Sequence, residues 1–290
     1  MPGAGPSVSI RMATPGEIQE TWSGACGPPD WGTILGDGIP IQHEFGSARD
    51  QRFIYGTDTF LITPDAGTVL CSVQDTDDVR WQRQLLDTIL FSVSFAHGFE
   101  LLHASAVEVD GGVVAFVAPS GGGKSSVVVE LCRRGYRMFC DDVLAIERRG
   151  AQLWGHPGPA VMNVPRAAAL PACLGASVIA SFPDEDESWV ALGRAATSSL
   201  PLRSVYLLDR FDDGPLVSEL TAPTVLDLLP DAISLPHTPT RARRRFEVFS
   251  ALAEQVPILR LGADPASSVQ AIADLVETSI KGASPHLAVR

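Results

Sequence analysis

This sequence of 290 residues lacks disulfide-type cysteine patterns, long apolar runs and leader-like segments. Its five cysteines are scattered, odd in number and without C-x-x-C spacing, which favours free thiols in a reducing compartment. No apolar run approaches the roughly 20 residues that a membrane-spanning helix needs. The first residues show no basic-then-apolar signal pattern. We therefore expect a cytoplasmic protein with no membrane partner.

Positive charge is also scarce. Lysine and arginine together number 22 against 34 aspartates and glutamates, so the net charge is −12 and the sequence pI is about 4.9. Such an acidic chain argues against nucleic acid as the main partner. The apolar content of 45% and the charged content of 19% are ordinary for a globular protein with a real core. The length allows one large or two modest domains.

Two differently patterned regions divide the chain. Residues 1–98 are strand-rich and end in an amphipathic helix over residues 80–97, with Gly98 at the C-cap position. Residues 99–282 mix strand and helix patterns, and residues 283–290 form a frayed tail. Further elements expected in the second region are a broken helix over 166–176, an acidic surface loop over 182–188, and helices over 224–229, 240–254 and 267–281.

A glycine-rich stretch in the second region carries the clearest chemical signal. An apolar run at residues 113–117 predicts a buried strand, and residues 127–131 predict the start of a helix. Between them lies the run Ser120-Gly121-Gly122-Gly123-Lys124-Ser125-Ser126. A strand, a glycine-rich turn and a helix that begins with Lys-Ser is the design of a phosphate-binding P-loop.

Each residue type in this loop has a physical reason. Consecutive glycines let the backbone wrap closely around a phosphate, and the helix N-terminus adds free N–H groups. Lys124 would reach the β- and γ-phosphates, and the Ser125 hydroxyl would ligate Mg²⁺. The first glycine of the usual motif is replaced by Ala118, a position that closes the strand. The alternative is a glycine-rich turn that binds nothing.

The strand that enters this loop has a predicted antiparallel neighbour. Asp110-Gly111 is a strong turn signal between two β-type runs, and the earlier run begins next to His103. His103 could therefore contact an aspartate or a phosphate beside the loop. A structural histidine satisfied by the backbone is the alternative.

Asp141 and Asp142 are the best candidate carboxylates. They follow a short predicted strand, and an aspartate at a strand end beside a P-loop is how such proteins hold Mg²⁺. One carboxylate would hold the metal, with Asp142 and Ser125 as the expected ligands, and the other would accept the proton of an attacking hydroxyl. Exposed turn carboxylates are the alternative.

Three arginines recur on one face of a predicted helix, at Arg241, Arg244 and Arg245. Such a stripe could close over phosphates as an anion clamp. A solvated helix face is an equally good interpretation of the same spacing.

Two runs together resemble the catalytic core of bacterial HPr serine kinase/phosphorylases. The first extends from His103 to Ser126 and the second from Glu130 to Val143. They supply, in the family's order, a histidine-bearing strand, an S-G-x-G-K-S loop, an E-L-x-x-R-G helix end and a D-D-V element. The resemblance covers residues 101–146 well, thins out toward residue 280, and does not extend to the N-terminal region.

The resemblance implies an α/β fold with a phosphoenolpyruvate-carboxykinase-like P-loop kinase core and a mixed sheet, preceded by the strand-rich region. It implies that Lys124 and Ser125 contact nucleotide and Mg²⁺, that Asp141 and Asp142 are the metal and base carboxylates, and that His103 is an active-site partner. Segments at 118–120, 156–158 and 201–208 look like HPr-kinase-like proteins encoded near peptide-tailoring clusters. Some of these, the lasso-peptide kinases, phosphorylate a precursor peptide.

Three departures, one of them the different N-terminal region, count against HPr as the substrate and against the reverse phosphorylase reaction. Ser126 stands where HPr kinases commonly have glutamate, and residues 159–164 are at best a remnant of the family's E-I-R-G-x-G segment.

The expected activity is an ATP- and Mg²⁺-dependent kinase acting on a hydroxyl of a peptide or small molecule, most simply a serine of a peptide or protein. A homo-oligomer is possible. The alternatives are a nucleotide-binding regulator without transferase activity and, less favoured, a carboxykinase acting on phosphoenolpyruvate. An ABC-type ATPase is disfavoured because no L-S-G-G-Q-like segment follows the loop.

Overall fold

The structure, a computed structural model, describes the following residues: 7–34, 40–119, 121–166, 174–182, 186–210, 216–219, 224–233, 238–263 and 266–282. They belong to two compact units, one running up to Gly98 and the other starting at Phe99. No helix within these ranges has the length and apolar composition required to cross a membrane.

The first unit is built on a six-stranded sheet with the order β1-β6-β5-β4-β3-β2. Its strands are β1 (Ser9–Met12), β2 (Asp30–Ile34), β3 (Pro40–Phe45), β4 (Gln51–Tyr55), β5 (Asp58–Ile62) and β6 (Thr68–Ser72). All neighbours are antiparallel except β1 and β6. The predicted hairpin over residues 60–71 is confirmed as β5 and β6.

Helices cover this sheet. They are α1 (Pro15–Thr21), α2 (Arg80–Gln84) and α3 (Leu90–Ala96), with a π-helical segment over Leu85–Ile89 between the last two. The predicted helix over residues 80–97 is thus confirmed, with one wider turn. Leu85, Ile89 and Val93 lie in one buried cluster with Phe60 and Val69 of the sheet. Their i, i+4 spacing explains why one helical face is apolar.

The second unit contains a nine-stranded mixed sheet. Its central path is β10-β8-β9-β16-β12-β11-β7, and β18 joins β16 and β17. The strands are β7 (Glu100–Leu102), β8 (Ala104–Val109), β9 (Gly112–Val117), β10 (Arg137–Cys140), β11 (Leu144–Arg149), β12 (Gln152–His156), β16 (Leu200–Arg210), β17 (Leu216–Glu219) and β18 (Ile258–Ala263).

The antiparallel pairing of β8 with β9 is confirmed. Ala104 lies opposite Val117, and the turn is made by Asp110 and Gly111 with φ of 47° and 74°. Positive φ at both central residues is what a tight hairpin turn with the strands' own twist requires. On its other side β9 runs parallel to β16, and β16 runs parallel to β18. The α/β fold with a mixed sheet therefore matches the expectation.

Helices pack on both faces of this sheet. They are α4 (Lys124–Arg133), α5 (Val225–Leu228), α6 (Pro239–Gln255) and α7 (Val269–Gly282). Along β9, Val114 and Phe116 belong to the buried cluster that contains α4 and α7, whereas Val113 and Ala115 belong to the cluster that contains α6. Successive strand residues point to opposite faces, so a continuous apolar run serves both layers.

A small three-stranded sheet was missed by the sequence patterns. It has the order β13-β15-β14, from β13 (Val161–Pro165), β14 (Ser177–Phe182) and β15 (Glu187–Ala191). The acidic-loop prediction over 182–188 was wrong for its last residues, because β15 begins at Glu187. The broken helix predicted over 166–176 falls mostly on residues 167–173, which lie outside the described residues.

The arginine stripe on α6 is mainly structural. Arg241 and Arg245 form ion pairs of 2.8 and 3.0 Å with Glu100, which is fully buried. Arg245 also donates to the carbonyl of Ile233 at 2.8 Å, and Arg241 donates to the carbonyl of Phe99. Only Arg244 of the three is exposed. The stripe therefore fastens α6 to β7. The solvated-face interpretation was wrong for Arg241 and Arg245, and the anion clamp stays a prediction.

Candidate active site

The glycine-rich segment lies where the motif predicted, between the end of β9 and the start of α4. Gly121 and Gly123 have φ of 75° and 99°, a backbone conformation that favours glycine. Gly122 is needed for a different reason. A Cβ there would lie 2.7 Å from the Cβ of Ala118 and 2.9 Å from the carbonyl oxygen of Pro119. The loop can thus hold an alanine at position 118 because position 122 has no side chain.

The N-terminus of α4 is open to an anion. Its N-cap is Gly123, and no side chain caps it. Because the first N–H groups of a helix lack intrahelical partners, they can bind a phosphate. Ser120, which the motif places in the same loop, lies outside the described residues. Ser126 is exposed on the first turn.

Lys124 is one of two lysines in the sequence, and only 5% of its surface is exposed to solvent. Its Nζ donates to the carbonyl oxygens of Ala118 at 2.8 Å and Pro119 at 3.4 Å, and contacts Nε2 of His103 at 2.9 Å. Desolvation lowers the pKa of Lys124, while Asp142, Asp141 and Asp231 oppose this shift. The ammonium group is therefore held between the loop and a group of carboxylates.

The hydrogen bonds of His103 fix its tautomer. Nδ1 lies 3.0 Å from the carbonyl oxygen of Asp142, which can only accept, so Nδ1 carries the hydrogen. Nε2 is then the acceptor for Lys124 Nζ. The backbone N–H of His103 donates to the carbonyl of Asp231 at 2.7 Å. His103 thus links Lys124 to the backbone of Asp142, and its contact with a phosphate stays a prediction.

Asp141 collects three hydrogen bonds. Its Oδ1 accepts from Ser105 Oγ at 2.6 Å and from Ser125 Oγ at 2.8 Å, and its Oδ2 accepts from the backbone N–H of Asn163 at 3.3 Å. Burial raises the pKa of Asp141 to about 6, with the Asp142 charge as the second cause, and these three hydrogen bonds oppose the rise. The register of β8 and β10 explains the contact with Ser105, since Cys140 lies opposite Ala106.

Asp142 has a strained backbone, and its side chain makes one hydrogen bond within the part of the chain that the structure describes. Its φ of 61° is uncommon for a residue with a Cβ. Its carbonyl accepts from the N–H of Ala104 at 3.2 Å as well as from His103. Its Oδ2 accepts from Nδ2 of Asn163 at 3.4 Å. Strain of this kind clusters at functional sites.

The predicted residues His103, Lys124, Ser125, Asp141 and Asp142 are therefore brought together, but one detail differs from expectation. Ser125 contacts Asp141, whereas the sequence paired Ser125 with Asp142 as metal ligands. Which of the two aspartates faces Ser125 depends on where the chain turns after β10, and residue spacing does not specify that turn.

Three members of the site were missed by sequence reasoning, namely Ser105, Asn163 and Asp231. Ser105 is fully buried in a strand of small residues and carries no motif signal. Asp231 ends a short 3₁₀ segment (Leu229–Asp231) that is tied to β7 by the bridge between Leu102 and Ala232. Burial raises the pKa of Asp231, and His103 and Lys124 oppose the rise.

His156, part of a family-like segment, makes a separate set of contacts. Its Nε2 lies 2.9 Å from Oε1 of Glu147, and its Nδ1 lies 3.1 Å from Oγ of Ser199. Desolvation lowers the pKa of His156, and Glu147 opposes this shift. These contacts join the end of β12 to its neighbours and give the residue a structural role.

The oxygen donors of the site suit Mg²⁺. Ser125, Asp141 and Asp142 offer one hydroxyl and two carboxylates, and no cluster of three or more histidines, cysteines or acids with metal-site geometry occurs in the described ranges. Mg²⁺ keeps several waters and is usually bound by one or two carboxylates together with substrate phosphates. A small set of oxygen ligands beside the glycine-rich loop therefore fits this ion.

No protein-family model matches the chain. Among solved structures, the HPr(Ser) kinase/phosphatase from Coxiella burnetii aligns with 63% of this chain and 97% of its own, at 13% identity and a TM-score of 0.34.

Two curated proteins match a segment of 52 residues. The HPr kinase/phosphorylase of Chlorobium phaeobacteroides (strain BS1) is 42% identical there, and that of Prosthecochloris aestuarii (strain DSM 271 / SK 413) is 40% identical. The segment is 18% of this chain and spans 15% of the length of each relative. Over this segment the chain is similar to the HPr kinase/phosphorylases, the family that its motifs indicated.

Proposed function

We propose that this protein is an ATP- and Mg²⁺-dependent kinase that transfers the γ-phosphate to a hydroxyl group, most simply a serine of a peptide or protein. The observation that carries the proposal is the 2.8 Å hydrogen bond between Ser125 Oγ and Asp141 Oδ1. This bond joins the first turn of α4 to the carboxylate that follows β10. Ser125, its donor, is the residue directly after Lys124. P-loop phosphotransferases use a hydroxyl and a carboxylate in this relation to hold the metal of the nucleotide.

The loop and Lys124 bind the phosphates in this proposal. The uncapped N-terminus of α4 supplies N–H donors, and Gly122 lets the loop keep the tight backbone path that brings them together, because a Cβ there would collide with Ala118 and Pro119. Lys124 now donates to two loop carbonyls, and a phosphate oxygen would give its charge an anionic partner. Its burial strengthens that interaction, because the site has a lower dielectric constant than water.

Ser125 and Asp141 would hold Mg²⁺, which reverses the expected pairing of Ser125 with Asp142. When bound, the ion would neutralise charge on the β- and γ-phosphate oxygens. Asp141 is suited to this role because its carboxylate is buried and oriented by three donors.

Asp142 is then the general base. It accepts the proton of the acceptor hydroxyl while the hydroxyl oxygen bonds to the γ-phosphorus and the bond from that phosphorus to the leaving oxygen of ADP breaks. His103 orients Asp142 through its carbonyl and holds Lys124 through Nε2.

The experiment is phosphate transfer from γ-labelled ATP to three classes of acceptor: serine peptides, including any precursor peptide encoded beside the gene, the protein HPr, and small hydroxyl compounds. Lys124→Ala and Asp141→Asn should abolish transfer. A protein that binds ATP and Mg²⁺ yet labels none of the acceptors would contradict the proposal and favour a nucleotide-binding regulator.

The same proposal includes the surroundings of the reaction. We place it in the cytoplasm, where ATP is abundant, and the four described cysteines, Cys26, Cys71, Cys132 and Cys140, are free thiols as a reducing compartment requires. The proposed partner is the hydroxyl acceptor, and neither nucleic acid nor a membrane takes part.

A further inference from the structure

Asn163 contacts both aspartates of the site. Its backbone N–H donates to Oδ2 of Asp141 at 3.3 Å, and its side-chain Nδ2 donates to Oδ2 of Asp142 at 3.4 Å. The neighbouring residues Met162 and Val164 are buried in the core that contains α4, so Asn163 lies on the opposite face of β13. One residue of the small sheet therefore spans the carboxylate pair.

The orientation of the Asn163 amide follows from its partner. Its Nδ2 donates to Oδ2 of Asp142, so the NH₂ group is the end that faces this carboxylate. This leaves Oδ1 of Asn163 buried and without a hydrogen-bond partner among the described residues. A buried acceptor left unsatisfied destabilises the folded state, because it has lost its hydrogen bonds to water without replacement. Leucine, of similar size, would avoid this cost, so the asparagine is explained by what Nδ2 does.

The two aspartates receive unequal support. Asp141 accepts three hydrogen bonds, from Ser105, Ser125 and the backbone of Asn163. The Asp142 carboxylate accepts one from the described residues, and it comes from Nδ2 of Asn163. One oxygen of Asp142 is thus fixed, and its Oδ1 accepts no hydrogen bond from the described residues.

We propose that Asn163 is a positioning residue for phosphoryl transfer. By holding Oδ2 of Asp142, it directs Oδ1 to the acceptor hydroxyl, and it sets which of the two aspartates acts as the base. This inference rests on the proposed kinase function and deepens it.

The kinetic test uses Asn163→Leu, with Val161→Ala on the same face of β13 as the matched control. We expect kcat to fall about 10- to 100-fold, as for other small misplacements of a catalytic group, with the KM for Mg·ATP unchanged. In an Asp142→Asn background the leucine substitution should cost nothing further, because the group it positions is gone. The proposal would be overturned if the losses in kcat of the two single variants multiplied in the double variant. It would also be overturned if Val161→Ala lowered kcat as much as Asn163→Leu.

Two measurements do not depend on activity. Asn163→Leu should unfold at the same or a higher temperature than the parent protein, since the unsatisfied oxygen is removed. The side-chain amide resonances of Asn163, identified by their loss in the leucine variant, should shift in Asp142→Asn and stay in place in Val161→Ala. If the protein transfers no phosphate, the kinase proposal fails, and unmoved amide resonances would separately overturn the contact.

Discussion

Ser105 donates its hydroxyl hydrogen to Oδ1 of Asp141 at 2.6 Å, and this oxygen also accepts from Ser125. The fully buried serine lies on β8, between the loop strand β9 and β10, which leads into Asp141. A residue with no motif signal therefore sets the direction of the carboxylate that faces the glycine-rich loop.

Replacing Ser105 by alanine should reduce phosphate transfer without unfolding the protein. Hydrogen bonds to charged groups contribute about 1.5–3 kcal/mol, so kcat/KM should fall roughly 10- to 100-fold. Steady-state kinetics with labelled ATP checks this. Ser204→Ala is the control, because Ser204 is a buried serine of the same sheet on β16. Equal losses in both variants would mean a general packing effect.

Replacing Asp141 by asparagine should abolish transfer but stabilise the metal-free protein at neutral pH. Burial raises the pKa of Asp141 from 3.8 to about 6, so the folded chain holds this proton more tightly than the unfolded chain. This group's contribution to stability is therefore greatest below about pH 4 and decreases as the pH rises to about 6. Over this pH range the free energy of unfolding of the parent protein falls by on the order of 1–3 kcal/mol because of this group, and that of the variant does not.

Thermal unfolding at pH 4, 6 and 8 in the presence of a chelator measures this effect. The melting temperature of Asp141→Asn should exceed that of the parent by a margin that grows between pH 4 and pH 6 and then stays level. A difference in melting temperature that does not change with pH would show that burial does not raise the pKa of Asp141.

Gly122→Ala should disable nucleotide binding while leaving the fold intact. A Cβ at this position approaches Ala118 to 2.7 Å and the Pro119 carbonyl to 2.9 Å, so the loop must open. We expect at least a 10-fold weaker affinity for Mg·ATP, or about 1.4 kcal/mol, measured by titration calorimetry. Gly282→Ala is the control, because nothing lies within 4 Å of a Cβ added there. Unchanged binding in Gly122→Ala would contradict a close-fitting loop.

Arg245→Met should destabilise the fold by about 3–5 kcal/mol, because it leaves the buried Glu100 with an incomplete set of partners. Arg244→Met, one residue away and exposed, should change stability by less than about 0.5 kcal/mol. Denaturant unfolding compares the two. If Arg245→Met instead left stability unchanged and weakened only ATP binding, the helix would carry an anion clamp after all.

The sequence by itself determined the glycine-rich loop of the site and the hairpin that leads into it. The glycine-rich run, Lys124-Ser125 and the turn at Asp110-Gly111 are local patterns, and local backbone preferences are enough to place them between β9 and α4. The helix over residues 80–97 was also predictable, because its apolar spacing repeats over several turns.

Only the tertiary structure decided which hydrogen-bond partners each carboxylate has. Asp141 and Asp142 are equivalent in sequence, and they became different because β8 brings Ser105 to one and β13 brings Asn163 to both. The strands β13, β14 and β15 are short and carry weak patterns, so their pairing depends on contacts between residues distant in the chain. The arginines of α6 show the same limit, since their spacing predicts one helical face but not that the buried Glu100 lies against it.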